Sequence, residues 1–465
     1  MKKKPLIPFA LAAGLAFSTF AVVPANAKPA ESQQVQSFHL DNKVLNKINV
    51  DNIYNNIEYL SRTPRVAGTE AEQKAIQYVK QQFESYGYKT ELQEFEFYGY
   101  TAPHTVQLQV DGFSNLEPKS FTYGLDGNVT GELVYAGFGS ASDVADLDLT
   151  GKIALVQRGQ GVSFADKVLN AAAKGAEGVI IFNNAAGVLN GTLGAPNDKF
   201  VPVVSISQES GQALLAAVNS GTKPSATINI VGAEGGIRKS HNVIATKAPT
   251  NKNKGTNDIL ALGAHHDSVQ GAPGANDDAS GTSMVLELAR VMKDLPTDRE
   301  IRFITFGAEE LGLIGSRYYA SQLSADEKER FTGYFNMDMV GSRDAGNLVI
   351  NVADGNPNIV SDHAQASSAR LNGAATPLET GGSSDHVAFT EVGIPSASFI
   401  HRPLEPWYHT PEDTIDKISK EKLQDVAEIV GTAVYDIVRP DNQGPKAKKG
   451  KEQKMPHLYH EQAIQ

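Results

Sequence analysis

The chain has 465 residues, a formal net charge of −11 at pH 7 and no cysteine. Without cysteine it forms no disulfide and offers no thiolate to a metal ion, so a tightly bound metal has to use histidine and carboxylate ligands. The acidic balance repels phosphate backbones, and we therefore do not expect nucleic acid as a partner.

The N-terminal residues predict a secretory signal peptide over residues 1–27. Lysines at positions 2–4 precede an apolar stretch from Leu6 to Val23, and Ala25-Asn26-Ala27 has the small-x-small pattern of a cleavage site. Prolines and a serine interrupt or flank the stretch, whereas a membrane anchor needs roughly 20 unbroken apolar residues. We therefore expect a secreted chain with no membrane attachment after cleavage.

The remaining chain is long enough for about two or three domains. Apolar residues at helical spacing predict a helix over Ala71–Tyr86 that stops near Gly87, and residues 90–110 alternate as strands do. The composition then shifts to Gly, Ser and Asn, which indicates a domain boundary. The predicted units are a discontinuous main domain of residues 28–116 and 232–440, an inserted domain of residues 117–231 and a lysine-rich, disordered tail of residues 441–465.

The inserted unit has the pattern of a small α/β domain. Strand-like runs at Gly151–Val156 and Gly178–Phe182 flank an alanine-rich helix over Phe164–Lys174. This spacing resembles a protease-associated (PA) domain. A generic α/β insert that acts only as a spacer is the alternative.

From His241 onward, short apolar strands alternate with helices. The predicted strands are Ile259–Gly263, Ile301–Phe306, Phe335–Met339, Leu348–Val352 and Ala397–Ile400, and the predicted helices lie near Ser283–Leu295, Leu311–Gln322 and Lys420–Val438. Apolar strands between helices predict an α/β fold with a mainly parallel sheet covered by helices on both faces.

Acids and histidines follow the predicted strands, where ligands gather in such sheets. They are His265 and Asp267 after one strand, Asp277 in the next loop, Glu309 and Glu310 after a second strand, Asp338 after a third, and Tyr408 and His409 in a late loop. Taken singly, each is also explained as a core histidine, a turn acid or a helix-start acid. Together, their carboxylates would repel one another unless cations neutralise them. A dinuclear zinc site provides that neutralisation with these ligand types.

The segments near residues 49–117 and 233–438 resemble the M28 family of zinc aminopeptidases, of the secreted bacterial type with an inserted PA domain. The resemblance rests on the motifs Gly-Ala-His-x-Asp-Ser, Glu-Glu-Leu-Gly, Asn-x-Asp-Met and Trp-Tyr-His-Thr. It implies the zinc exopeptidase fold and two zinc ions per chain. The implied roles are one zinc on His265 and Asp338, the other on Glu310 and His409, a bridge at Asp277, a general base at Glu309, an oxyanion-stabilising hydroxyl at Tyr408, and Asp267 orienting His265.

The resemblance implies hydrolysis of N-terminal residues from peptides and proteins that have a free N-terminus. A carboxypeptidase is the first alternative, because glutamate-type carboxypeptidases of the wider family share the metal motifs and the insert. Arg402 is the nearest candidate in sequence for the carboxylate clamp that such an enzyme needs. A catalytically inactive binding protein on the same fold is the second alternative, although all the implied ligands and Glu309 are present.

Four neighbouring residues are left outside the predicted site. His266 follows a ligand in a strand, so its side chain should face the opposite way. Asp278 is interpreted as a turn or helix-start acid. Asp385 and His386 also recur in the family, and no role is assigned to them.

Overall fold

The computed structural model describes residues 40–187, 189–251, 253 and 255–440. The predicted signal peptide at 1–27 and the predicted tail at 441–465 lie outside the described residues. Within those ranges, no helix combines the length and the apolar composition that crossing a bilayer requires.

The strands of the described residues form two sheets of eight strands each, numbered here in chain order. The first sheet has the spatial order β1 (Lys89–Thr101), β10 (Glu234–Lys247), β12 (Glu300–Phe306), β11 (Ile259–His265), β13 (Phe331–Met337), β16 (Ser396–Arg402), β14 (Asn347–Val352) and β15 (Leu378–Thr380). The second has the order β2 (Thr105–Val110), β9 (Ser225–Val231), β4 (Gly127–Tyr135), β5 (Ile153–Gln157), β6 (Gly178–Phe182), β8 (Val203–Ile206), β3 (Lys119–Thr122) and β7 (Gly191–Thr192).

Helices connect these strands. In chain order the described helices are residues 40–45, Val50–Leu60, Glu70–Ser85, Phe164–Ala172, Gln208–Asn219, Ala279–Met292, Ile314–Gln322, Ala325–Arg330, Ile359–Asn372, His386–Glu391 and Lys420–Val438, with a 3-10 turn at Ile415–Lys417. The helix predicted over Ala71–Tyr86 is confirmed as Glu70–Ser85: Thr69 caps its start and Gly87 adopts a left-handed conformation after its end.

The centre of the first sheet is parallel: β12, β11, β13 and β16 run in the same direction. Every residue of β11 is buried, because it has a neighbour on each side and helices above and below. One apolar core on the sheet includes Leu262 and Val430, and another includes Ile304 and Phe389. This is the predicted α/β architecture, a mainly parallel sheet covered on both faces.

The second sheet forms the inserted unit and begins earlier than the sequence indicates. β2 pairs antiparallel with β9 along its whole length. The sheet therefore includes residues 105–110, which the predicted boundary at residue 117 leaves in the main domain. Residues 90–110 alternate throughout, so their pattern does not mark where the chain crosses between sheets. At that junction Thr101 of β1 is paired with Glu234 of β10.

Candidate metal centre

The carboxyl ends of β11, β12 and β13 meet at one edge of the first sheet, and the predicted ligands gather there. The strands supply His265 at the end of β11, Glu309 and Glu310 just after β12, and Asp338 directly after β13, while loops supply Asp277 and His409. Two of the backbone turns at this edge are left-handed at non-glycine residues, Ala308 with φ 54° and Met339 with φ 56°. Such conformations are costly and concentrate at functional sites.

Asp277 lies between the two histidines. Its Oδ1 is 3.1 Å from Nε2 of His265, and its Oδ2 is 3.2 Å from Nε2 of His409. One carboxylate thus presents a different oxygen to each imidazole. This is the arrangement expected of a ligand shared by two metal ions.

Each histidine also faces a second carboxylate. Nε2 of His265 is 3.7 Å from Oδ1 of Asp338, and Nε2 of His409 is 3.1 Å from Oε2 of Glu310. Donor atoms of His265, Asp277 and Glu310 all lie within 4.8 Å of one another. The structure therefore brings the five predicted ligands together around Asp277, and a second group of donors within the same distance joins His265 and Asp338 with Asp278.

The electrostatics of this cluster favour positive charge at its centre. Burial lowers the pKa of His265, but the carboxylate of Glu309 and its neighbours raise it well above its ordinary value. Burial likewise lowers the pKa of His409, while Glu310 and Asp277 raise it to about 11. Carboxylates that hold protons on both imidazoles also stabilise metal cations at the same nitrogens when those protons leave. The nitrogen and oxygen donors present fit zinc.

Asp267 fixes the backbone of the acidic pair. Its Oδ1 accepts a hydrogen bond from the N–H of Glu309 at 3.1 Å, and its Oδ2 accepts one from the N–H of Glu310 at 3.3 Å. Its Oδ1 also lies 3.5 Å from Nδ1 of His265, while its backbone oxygen is closer, at 3.2 Å. Asp267 therefore occupies the predicted orienting position, and its contact with both glutamates was not predicted.

Tyr408 packs face to face with His409, with ring centroids 3.7 Å apart. Burial, and then the charges of Asp277 and Glu310, raise the pKa of its hydroxyl far above the ordinary value of 10. The hydroxyl is therefore protonated at neutral pH and able to donate a hydrogen bond.

A cavity of about 70 Å³ opens beside Asp277, Asp338 and Tyr408. Met339, Ile400 and Leu404 give it an apolar lining. The remaining lining is polar and consists of Asn351, Gly382, Ser383, Ser384, His386, Ser398 and Arg402. The structure thus brings Arg402 to the same cavity as two of the candidate ligands.

The pair Asp385-His386 lies at the border of this site. His386 is buried and lines the cavity, and burial lowers its pKa to about 4, so its ring is neutral near pH 7. Asp385 is also buried, and burial followed by the charge of Glu309 raises its pKa. Sequence reasoning assigned these residues no role, and the structure places both against the centre.

The two ligand neighbours set aside by the sequence analysis have structural roles. Nδ1 of His266 is 3.0 Å from Oγ1 of Thr305, and its Nε2 is 3.6 Å from Oε1 of Glu72, away from the candidate ligands. Oδ1 of Asp278 accepts from the N–H of Gly281 at 2.8 Å and so caps the helix that follows. The predicted place of Asp278 at a helix start is confirmed, whereas its exclusion from the ligand set stays a prediction.

Two buried residues that sequence reasoning missed hold the loop of Asp277. Asp413 accepts hydrogen bonds from the N–H groups of Asn276 at 2.8 Å and Asp277 at 3.0 Å. Arg65 donates to carbonyl oxygens of the same loop. Asp413 follows His409 closely in the sequence, which was a usable signal. Arg65 is 201 residues from its partner His266, and nothing in its local sequence marks the contact.

Comparison with known proteins bears on this site. The profile of Peptidase family M28 matches residues 242–434, and that of the PA domain matches residues 129–214. Aminopeptidase YwaD of Bacillus subtilis (strain 168) is 38% identical to this chain over 410 residues, which cover 85% of this chain and 86% of YwaD. This chain belongs to peptidase family M28. The predicted family and the predicted PA domain are confirmed.

Solved structures of relatives cover most of this M28 peptidase. The aminopeptidase from Aneurinibacillus sp. strain AM-1 is 55% identical, covers 86% of this chain and 96% of its own, and superimposes with a TM-score of 0.77. BSAP, a zinc aminopeptidase from Bacillus subtilis, is 38% identical, covers 85% and 97%, and superimposes with a TM-score of 0.69. The segment that matches the M28 family includes every candidate ligand, and the segment that matches the PA domain lies within the part of the chain that forms the second sheet.

Proposed function

We propose that this M28 peptidase is a zinc aminopeptidase that removes N-terminal residues from peptides and proteins. The observation that carries the proposal is the position of Asp277, whose two carboxylate oxygens face His265 and His409 at 3.1 and 3.2 Å. Relatives named aminopeptidase or zinc aminopeptidase align with most of the chain.

Two zinc ions fit the ligand types present. His265 and Asp338 would hold one ion, Glu310 and His409 the other, and Asp277 would serve both. When bound, such a pair of ions polarises the scissile carbonyl and lowers the pKa of a water molecule toward about 7.

The chain supplies the proton transfers and the remaining charge stabilisation. Glu309, with Oε2 3.9 Å from Nε2 of His265, takes the proton of the attacking water and returns it to the leaving amine. Asp267 keeps Glu309 in place through its backbone N–H. The protonated hydroxyl of Tyr408 donates to the oxygen that becomes negative during attack.

Recognition of a free N-terminus follows from charge. With zinc bound, Glu310 and Asp338 would be neutralised as ligands, which leaves the carboxylate of Glu309 to favour an ammonium or amine group over a substrate carboxylate. A C-terminal carboxylate would require an arginine or lysine clamp.

Arg402 favours a second candidate, a carboxypeptidase, because its side chain lines the cavity beside Asp338. Its Nε, however, is 4.0 Å from Oε2 of Glu379, and the side chain is 40% exposed. A partly neutralised, half-exposed guanidinium is a weaker anion clamp than a buried one. The aminopeptidase is therefore the preferred function.

One peptide in three forms tests this choice: unmodified, N-acetylated and C-amidated. Mass spectrometry should show stepwise N-terminal shortening of the unmodified and amidated forms, and no change in the acetylated form. Arg402→Gln is the matched variant and should leave this pattern unaltered. C-terminal trimming of the acetylated peptide that Arg402→Gln abolishes would establish the carboxypeptidase instead, and internal cuts in all three forms would indicate an endopeptidase.

Metal analysis tests the centre itself. The purified chain should carry about two zinc ions, as expected for a site with a shared carboxylate. Chelation should abolish hydrolysis, and zinc should restore it. Asp277→Ala should lose both ions, because the shared carboxylate serves each. Full activity in chelator, with no zinc bound, is the result that contradicts the proposal.

Export is part of the proposal and rests on the signal-like residues 1–27. The full chain, expressed in a bacterial host, should accumulate outside the cytoplasm with Lys28 as its first residue. The mature chain should then act on peptides without binding membranes or nucleic acid. A product that keeps Met1 and stays in the cytoplasm would contradict export without affecting the proposed activity.

A further inference from the structure

Arg65 is a buried guanidinium beneath the loop that joins two candidate metal ligands, and only 1% of its surface is exposed. Its Nε donates to the carbonyl oxygen of His266 at 2.7 Å. Nη1 donates to Leu60 at 3.0 Å and to Pro273 at 2.6 Å, and Nη2 donates to Gly274 at 2.9 Å. One side chain therefore binds four carbonyl oxygens from three parts of the chain.

These contacts fix both ends of the loop. His266 directly follows the ligand His265, and Gly274 shortly precedes the ligand Asp277. The backbone of Arg65 adds two bonds to the middle of the loop: its N–H donates to Oγ of Ser268 at 2.9 Å, and its oxygen accepts from the N–H of Ser268 at 3.2 Å. Arg65 thus binds the loop between His265 and Asp277 near both of its ends, while Asp413 holds the N–H groups of Asn276 and Asp277.

The shape of the loop depends on the close approach of the Arg65 guanidinium to Gly274. Gly274 has a φ of 63°, and a Cβ at that position would lie 3.0 Å from Nη2 of Arg65 and 2.2 Å from the oxygen of Asp277. Glycine is therefore the residue that allows the guanidinium, the loop and the ligand to lie this close together.

Arg65 also places a fixed positive charge under the acidic centre. Burial lowers its pKa, whereas the nearby carboxylates of Asp413 and Asp267 raise it, and arginine remains charged in proteins. A lysine would supply the charge but not the planar fork that reaches several carbonyl groups at fixed angles. A glutamine would supply a short amide donor without the charge.

We propose that Arg65 is a positioning residue for the metal centre, which sets the separation of His265 and Asp277 and thereby the retention of zinc. This inference rests on the proposed zinc centre. It predicts that both the fork and the charge matter, so neither Arg65→Lys nor Arg65→Gln should reproduce the wild type.

The test compares zinc release from the folded, zinc-loaded full chain. Each variant is mixed with a chromogenic chelator, and the rate of zinc transfer is followed. Since changes behind metal ligands typically cost about 10–100-fold in metal affinity, Arg65→Lys should release zinc at least about tenfold faster than wild type. Hydrogen exchange of the metal-free protein gives a second readout: amides of residues 268–277 should exchange faster in the Arg65 variants.

Arg299→Lys is the matched control. Arg299 is also buried, with Nε 3.1 Å from Oδ1 of Asp298, but it precedes β12 at the opposite end of the sheet. Its variant should lower thermal stability without changing zinc release.

The possible results distinguish a positioning role of Arg65 from a general effect on stability and from failure of the proposed function. Wild-type release rates in folded Arg65→Lys and Arg65→Gln would overturn the inference, as would equal acceleration by Arg299→Lys, which would show a general loss of stability. Failure of both Arg65 variants to fold in the presence of zinc would also overturn it, because Arg65 would then support the whole fold. Absence of zinc from the wild type would instead refute the proposed function.

Discussion

Glu309 and Glu310 are adjacent, chemically identical side chains in different surroundings. Asp267 holds the N–H groups of both. Oε2 of Glu310 lies 3.1 Å from Nε2 of His409, whereas Oε2 of Glu309 lies 3.9 Å from Nε2 of His265. The carboxylate of Glu310 therefore contacts His409, whereas the carboxylate of Glu309 stays farther from His265. This geometry agrees with one ligand and one base.

Substitution of these two glutamates should therefore have different effects. Glu309→Gln should keep zinc and lose about 10²–10⁴-fold in kcat, because removal of a general base has this magnitude. Glu310→Gln should lose metal. Zinc content and steady-state hydrolysis of an aminoacyl chromophore, measured on the same preparations, check both. Zinc loss in the Glu309 variant alone would reverse the two roles.

The helix Ile359–Asn372 shows what the sequence could not reveal at the scale of elements. Its buried residues are Val360, Ser361, Ala364, Ser367 and Ser368. Small and polar side chains produce no apolar periodicity, so this helix was not predicted. Ser367 instead donates to the oxygen of Ile429 at 3.0 Å in the helix Lys420–Val438. That partner has a clear apolar face, and its bounds were predicted correctly.

The same difference between patterned and unpatterned segments explains which site residues could be predicted. The ligands at strand ends were predictable because apolar strands deliver them and family motifs surround them. Arg65 was missed because it binds backbone carbonyl groups far away in the sequence, which leave no local pattern, and Asp413, which also binds backbone groups, was marked only by its nearness to His409. Their contacts exist only after distant segments have packed.

The helix Ala279–Met292 packs tightly against β13 next to Asp338. A Cβ on Gly281 would lie 2.1 Å from the backbone oxygen of Met337 and 2.6 Å from the carboxylate of Asp278. Alanine normally favours a helix over glycine by about 1 kcal/mol, but overpacking costs about 1–3 kcal/mol. Gly281→Ala should therefore destabilise the chain and weaken zinc binding.

Thermal unfolding with and without zinc measures this effect. Gly236→Ala is the control, because a Cβ there would have nothing within 4 Å, and it should be close to neutral. A more stable Gly281→Ala protein would mean that helix propensity outweighs the contact with β13.

At the scale of the whole molecule, the fold class and the inserted PA domain were predictable, but the point of insertion was not. The pairing of Thr101 with Glu234 places both crossings at one end of the β1–β10 pair. The insert is accordingly joined to the main domain at one end of the antiparallel β1–β10 pair, and it contributes none of the candidate ligands.

Excision at this hairpin should leave the chemistry intact. Replacing residues 102–233 with an Asn-Gly turn joins two strands that are already paired, and such turns suit antiparallel hairpins. Hydrolysis of a small aminoacyl substrate should persist, while selection among longer peptides should change. Excision of residues 117–231 is the comparison and should fold less well, because it leaves β2 without β9. A 102–233 variant that binds zinc but cleaves nothing would show that the insert completes the active site.

The pairing at Thr101 and Glu234 also bears on the order of folding. The main sheet draws β1 and β10 from opposite sides of the insert, and the entropy lost on closing a loop grows with its length. An insert that folds first carries its two ends to facing positions of an antiparallel pair, about 5 Å apart. The entropy that pairing β1 with β10 still costs is then only that of closing a short hairpin. A second sheet that folds first would thus shorten the search by which β1 meets β10.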